Sequence, residues 1–178
     1  MLRTTDYDGL LHAARDPDVW RWFPVVLSVP ENLNKWMTSM LDQHQQGVRV
    51  PFTIRDATTH EIIGSTSYMH IAATDLCLEI GTTWMDKTYH GSGVNFNMKY
   101  LLLRQAFEEM GYYRVEFRTD VLNVRSRKAI EKLGAVQEGI FRNHRFNNSG
   151  GRRDSVIYSI IREEWPSVQT ALEEKINP

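Results

Sequence analysis

Apolar residues recur at two spacings along the chain, and each change of spacing marks a new element. Leu10, Leu11 and Ala14 fall on one side of a short helix over Tyr7–Ala14, which Thr5 or Asp6 can cap and Asp16-Pro17-Asp18 ends. An aromatic connection follows, Val19-Trp20-Arg21-Trp22-Phe23-Pro24. Ser28-Val29-Pro30-Glu31 has the form of a capping box, with Pro30 in the first turn, where its missing N–H costs nothing. Behind it Leu33, Trp36, Met37, Met40 and Leu41 keep helical spacing as far as Gly47. From Val48 the period drops to two, with Val50, Phe52 and Ile54 on one side of a strand. A polar turn at Arg55–His60 leads to a strand over Glu61–Ile71, interrupted by Gly64, and Leu76–Met85 reads as a third. Two hairpin-like joins make this part an antiparallel meander.

The period returns to helical over Asn95–Met110, where Leu102, Leu103, Ala106, Phe107 and Met110 form the stripe and Gly111 the stop. Val115, Phe117 and Thr119 alternate along a further strand. A helix over Val124–Leu133 follows Asn123 and ends at Gly134. Val136–Arg142 and Asp154–Ile161 read as two strands joined through Asn147-Asn148-Ser149-Gly150-Gly151, and Glu163–Ile176 as a polar, weakly amphipathic tail. No linker or repeat divides the chain, so one α/β domain over 1–178 is the economical reading.

Between the third strand and the long helix lies His90-Gly91-Ser92-Gly93-Val94-Asn95, with no acidic residue. A glycine loop that opens a helix presents backbone N–H groups and a partial positive charge, which suits an anionic phosphate. The same sequence also suits a plain strand-to-helix turn. A nucleoside-triphosphate loop would carry Lys and Ser/Thr where Val94 and Asn95 stand, and a dinucleotide fingerprint would need a third glycine and an early βαβ unit. Neither fits.

Composition narrows the classes. The chain is 42% hydrophobic and 24% charged, which argues against disorder. A formal charge of −1 gives no footprint for nucleic acid. The single cysteine, Cys77, excludes an internal disulfide and fits a reducing cytoplasm. No apolar run reaches a membrane span, and the first residues carry no secretory h-region. No metal spacing such as H-E-x-x-H occurs, so no metal is expected.

The glycine loop, Glu79-Ile80-Gly81-x-x-Trp84 before it and Asn123-x-x-Ser126 with the helix to Gly134 after it resemble the GCN5-related N-acetyltransferase (GNAT) superfamily. The branch is similar to ribosomal-protein N-terminal acetyltransferases of RimJ/RimL type. Trp20-Arg21-Trp22, Arg153-Asp154-Ser155 and Glu164-Trp165-Pro166 extend the likeness over nearly the whole chain. The resemblance implies a mixed, mostly antiparallel sheet of roughly six to seven strands flanked by helices. Only Leu2-Arg3-Thr4 precede the first helix, so the family's first strand should be missing or rudimentary, leaving a bare edge that another copy could pair as a homodimer. The family loop runs Arg/Gln-x-x-Gly-x-Gly/Ala and grips the pyrophosphate of acetyl-CoA. Here His90 and Asn95 depart from it, although the backbone mechanism survives.

Acetyl transfer requires a neutral amine. At pH 7 deprotonation costs about 4.6 kcal/mol for a lysine amine and about 1 kcal/mol for an α-amine. The resemblance offers Glu79 as base, acting when desolvated or through a water. The alternative for Glu79 is a structural acid that bonds an arginine or the backbone. His70, with Tyr68 two residues earlier on the same predicted face, is the competing base, and both are candidates for the acceptor site. Ser126 would reprotonate the CoA thiolate, unless its hydroxyl only bonds locally in the first helical turn. Asn123 would meet the pantetheine amide, or cap the helix, or do both through different atoms. Thr83, Trp84 and Met85 would meet the pantetheine arm through their backbone where the family's parallel strands splay, and polarise the acetyl carbonyl. Trp20 and Trp22 are candidate walls of the acceptor site, or helix packing. Cys77 reads as packing and Arg152-Arg153 as a solvated strand end. The expected activity is transfer from acetyl-CoA to a primary amine, either a protein N-terminus or a small molecule; the alternative is a non-catalytic CoA-sensing module.

Overall fold

A computed structural model describes residues 1–147 and 150–176. Strands β1 (Arg49–Arg55), β2 (Ile62–Ala72), β3 (Cys77–Met85), β4 (Arg114–Asp120), β5 (Val136–Phe146) and β6 (Arg152–Ile161) form one sheet in the order β1-β2-β3-β4-β6-β5. Every pairing is antiparallel except β3 with β4. The helices are α1 (Tyr7–Ala13), α2 (Pro30–Gln45), α3 (Val94–Arg104), α4 (Val124–Glu131) and α5 (Trp165–Ile176). Among the described residues no helix is long and apolar enough to cross a membrane.

Strand alternation sorts the side chains onto two faces. Leu78, Ile80, Val115, Phe117, Val156, Tyr158 and Ile160 bury against Leu102 and Leu103 of α3, Phe107 just beyond it, and Trp165, Val168 and Leu172 of α5. The segment read as a polar tail is therefore a packed helix, whose three apolar residues at helical spacing suffice to dock it. On the other face, Leu10, Leu33, Trp36 and Met37 of α1 and α2 pack with Trp20 and Trp84. The residues interleaved with the first set, Glu79, Glu116, Arg118, Asp120 and Ser155, belong to this second face.

Ahead of α1, Leu2 N–H donates to the Pro51 carbonyl of β1 at 2.9 Å. The expected Ser28 cap does not form: α2 has Val29 at its N-cap and no side-chain cap bond. Asp6 likewise leaves α1 uncapped and binds Thr53 and Arg55 of β1, each at 2.6 Å. The long helix widens into a π turn over Gln105–Glu109, which lets Ala106 and Phe107 both face the core. Within the loop expected at 147–151, Asn148 and Ser149 lie outside the described residues.

Gly64 lies where β2 meets the distal end of β3. A Cβ there would stand 2.2 Å from the Trp84 carbonyl oxygen and 2.8 Å from Met85 Cα. The β3 backbone cannot yield as a flexible side chain would, so Gly64→Ala is expected to cost about 2 kcal/mol in a urea melt. An unchanged midpoint would show that β2 and β3 are not held this closely.

Candidate active site

The parallel strands pair only at Cys77–Arg114, Leu78–Val115 and Glu79–Glu116 and then part. Parting leaves the β4-facing edge of Ile80–Met85 outside the ladder. β3 also carries an extra residue against β2, since Ser65 faces Trp84 while Ser67 faces Gly81. Thr82 occupies this bulge at φ 48. Its hydroxyl accepts from Arg49 Nη1 and donates to Ser67 Oγ, both at 3.1 Å. The bulge exchanges the faces beyond it, turning Thr83 toward α3 and Trp84 toward α1 and α2.

Glu79 is buried beside the last paired residues, 4% exposed. Its Oε2 lies 2.8 Å from His70 Nδ1 and 3.2 Å from Arg118 Nε. The Arg118 contact is an ion pair without hydrogen-bond alignment. His70 reaches Glu79 because the β2–β3 register slips between Met69 and Ala72 and His70 takes φ 49. His70 is 45% exposed in its side chain, so it links the buried carboxylate to solvent.

Across the splay, Lys99 of α3 is 5% exposed, with Nζ 2.9 Å from Thr83 Oγ1 and 5.4 Å from the Phe117 ring centroid. Thr83 Oγ1 in turn meets Thr66 Oγ1 at 2.8 Å. Burial pushes the Lys99 amine from 10.5 down to about 7, against the pull of Glu79. Sequence reasoning missed Lys99, although it stands three and four residues before Leu102 and Leu103 and so lies on their stripe.

The loop beyond β3 turns at Gly91 and Gly93, with φ 84 and 86, and Gly93 is the N-cap of α3. A Cβ on either glycine would meet nothing within 4 Å, so the loop's outer surface is open. Among the described residues their amides donate to no other group. This open cradle of amides at a helix N-terminus fits a diphosphate, and the adjoining splay fits an extended pantetheine chain. His90 faces the Met85 carbonyl with Nε2 (3.2 Å) and Arg125 Nη1 with Nδ1 (2.9 Å). A ring nitrogen opposite a carbonyl must donate, and one opposite a guanidinium must accept, so the imidazole is neutral with its proton on Nε2. Burial, then the charge of Arg125, lowers its pKa accordingly. His90 thus ties β3 to α4 and holds Arg125 at the loop's rim.

Asn123 caps α4, its Oδ1 accepting from Ser126 N at 3.1 Å. The Ser126 side chain stands in the first turn, half-buried. Cys77 Sγ–H points to the Asp75 carbonyl at 3.2 Å, and burial raises the thiol.

Three expected placements are corrected. Tyr68 does not share a face with His70 in the site: it is buried against α3, donating to the Leu102 carbonyl at 2.6 Å. Trp20 is helix packing, 1% exposed, with its indole N–H on the Ala14 carbonyl at 2.8 Å. Arg153 is not solvated: its Nη1 lies 3.4 Å from the Trp22 carbonyl and 3.9 Å from Asp120. Trp22 itself borders a cavity of about 520 Å³ with Arg21, Asp120, Arg152 and Arg153.

The model of the acetyltransferase (GNAT) domain family matches residues 1–136. YdaF of Bacillus subtilis, provisionally named a ribosomal N-acetyltransferase, is 36% identical over 87 residues, 49% of this chain and 46% of that protein. The chain thus spans about half the length of that curated relative. A crystal structure of a provisionally named acetyltransferase from T. thermophilus superposes with TM-score 0.86 at 36% identity, covering 98% of this chain and 90% of that one. Mycobacterium smegmatis RimJ in complex with CoA-disulfide shares the fold, with TM-score 0.83 at 19% identity over 97% and 86% of the two chains.

Proposed function

The chain belongs to the GNAT acetyltransferase family, and on that premise we propose that it transfers an acetyl group from acetyl-CoA to a primary amine by direct attack in a ternary complex. The observation that carries this reading is the splay of β3 from β4 after Glu79, placed between the glycine loop and Asn123.

Acetyl-CoA supplies the acetyl thioester. The amides of Gly91 and Gly93 and the N-terminus of α3 hold the diphosphate, with the Ser92, Val94 and Asn95 backbone completing the turn. Arg125, set by His90, takes the cationic place of the family's loop Arg/Gln. Asn123 Oδ1 is committed to Ser126 N, so its Nδ2 is the group that can reach pantetheine. The Thr83–Met85 edge aligns the arm and donates to the acetyl carbonyl oxygen as charge develops there. Glu79 takes the amine proton, directly or through a water, and His70 passes it to solvent. Ser126 returns a proton to the departing thiolate.

Two measurements test this. CoA should raise the melting temperature, and free thiol should appear when acetyl-CoA meets a panel of amines. A shift without turnover on any amine would support a sensing module, and no shift would sink both readings. Arg125→Gln is expected to weaken CoA binding about five- to tenfold by calorimetry, roughly 1 kcal/mol. Arg125→Lys should retain most of the affinity, whereas equal loss in both would mean that His90 and Arg125 only brace the loop.

A further inference from the structure

Building on the acetyl-transfer reading, we propose that the acceptor is a small amine that also carries an oxyanion, first of all a carboxylate, seated where Arg118, Arg153, His144 and Ser155 converge.

Four buried polar atoms in this region have no hydrogen-bond partner: Arg118 Nε, Arg153 Nε, His144 Nδ1 and Ser155 Oγ. Buried orphans of this kind are uncommon, and each costs about 1–3 kcal/mol. An arginine Nε can only donate, so what Arg153 Nε lacks is an acceptor, whereas Arg118 Nε has Glu79 Oε2 at 3.2 Å but out of line. Ser155 is 1% exposed, so its hydroxyl is built into the sheet.

The four side chains come together through the register. Ser155 pairs with Asp120 on one side and Phe141 on the other. The Phe141 ring centroid lies 5.9 Å from Arg118 Cζ and 5.2 Å from the His144 ring. Arg153 reaches Asp120 at 3.9 Å. Ser155 alternates with Val156, which belongs to the α3–α5 core, and so opens on Glu79's face.

Charge on this face points the same way. Arg118 is paired with Glu79 at 3.2 Å and Glu116 at 2.8 Å and Arg153 faces Asp120 at 3.9 Å, while the charge of Arg145 bears on both Arg49 and Arg153. Burial, and then Arg145, Arg118 and Arg153, drive His144 toward its neutral form. An incoming anion relieves this crowding, whereas a basic peptide tail or a diamine would meet it unfavourably. Arg118 lies 3.2 Å from Glu79, so an anion near Arg118 places its own amine beside the base. The adjoining cavity of about 520 Å³ has the size of a small-molecule site. In the reaction the amine nitrogen bonds to the acetyl carbon as the C–S bond breaks. The amine proton passes to Glu79 and the thiolate takes one from Ser126.

Matched pairs test the idea: amino acids from glycine to ε-aminocaproate against their carboxamides, phosphoethanolamine against ethanolamine, and a diamine. Thiol release and binding to the CoA-loaded protein are both followed. The acids are expected to exceed their amides at least about tenfold in kcat/KM and in affinity. Arg153→Gln and Ser155→Ala should shrink that ratio, and Arg153→Lys should keep much of it. Ser155→Ala removes only an unpaired hydroxyl, so it decides the matter if Arg153→Gln fails to fold. An amide or diamine used equally well, or turnover confined to peptides, would overturn the proposal. Turnover indifferent to charge overturns this inference alone. If nothing is acetylated, the acetyl-transfer reading fails, and the acid-to-amide affinity ratio still decides whether the anion site exists.

Discussion

Glu79→Gln is expected to lower kcat for acetyl transfer by about a hundred- to a thousandfold, with CoA affinity changed less than about twofold. The carboxylate lies at the mouth of the splay, whereas the diphosphate cradle is at the other end of β3, so the two effects separate. Gln keeps the shape and a hydrogen-bond acceptor but cannot take the amine proton. The loss should be larger for an amine near pKa 10 than for one near 8, because about 2.7 kcal/mol more of deprotonation then falls on the protein. Raising the pH should partly rescue the variant, as solvent takes over that task. Glu79 also pairs with Arg118 and His70, so melting must be recorded alongside. A variant that melts early but keeps its kcat, with no dependence on amine basicity, would reduce Glu79 to a structural acid.

The other large effect concerns stability. Lys99 is buried with its amine at about 7, whereas unfolding returns it to 10.5. Between those values the unfolded chain holds a proton that the folded chain has released, so stability rises with pH through this window. The burial cost is full below about pH 7 and fades toward pH 10.5. Its size is on the order of 4 kcal/mol at pH 7 and under about 1 kcal/mol at pH 10. Lys99→Met fills the same space without the amine and gives up one hydrogen bond to Thr83, worth about 1 kcal/mol. It should therefore raise the urea midpoint clearly at pH 7, little at pH 10, and flatten the pH dependence between. A midpoint that falls at both pH values would mean that Lys99 is a net stabiliser held by its threonine contact.

Much of the site was legible because it rests on local rules. The glycines that open α3, the Asn123 cap and Glu79 on the strand before the loop all lie within short stretches whose geometry neighbouring residues dictate. Face assignment was legible only between bulges. Tyr68 and His70 are two apart and should share a face, yet the slip after Met69 sends one to the core and the other to Glu79. Nothing in the hydrophobic pattern marks such a slip, since it arises from fitting two strands together. Arg153 was misread for a similar reason: its partner Asp120 is 33 residues away in sequence, on a strand brought alongside only by the sheet order.

By itself the sequence determined where most strands and helices lie and the place of the glycine loop, because period, caps and turn residues act over a few neighbours. The tertiary structure alone decided the parting of β3 from β4, the burial of Lys99 beneath it and the gathering of Arg118, Arg153, His144 and Ser155 on one face. These depend on which strands become neighbours and on where their registers slip, and long-range packing sets both.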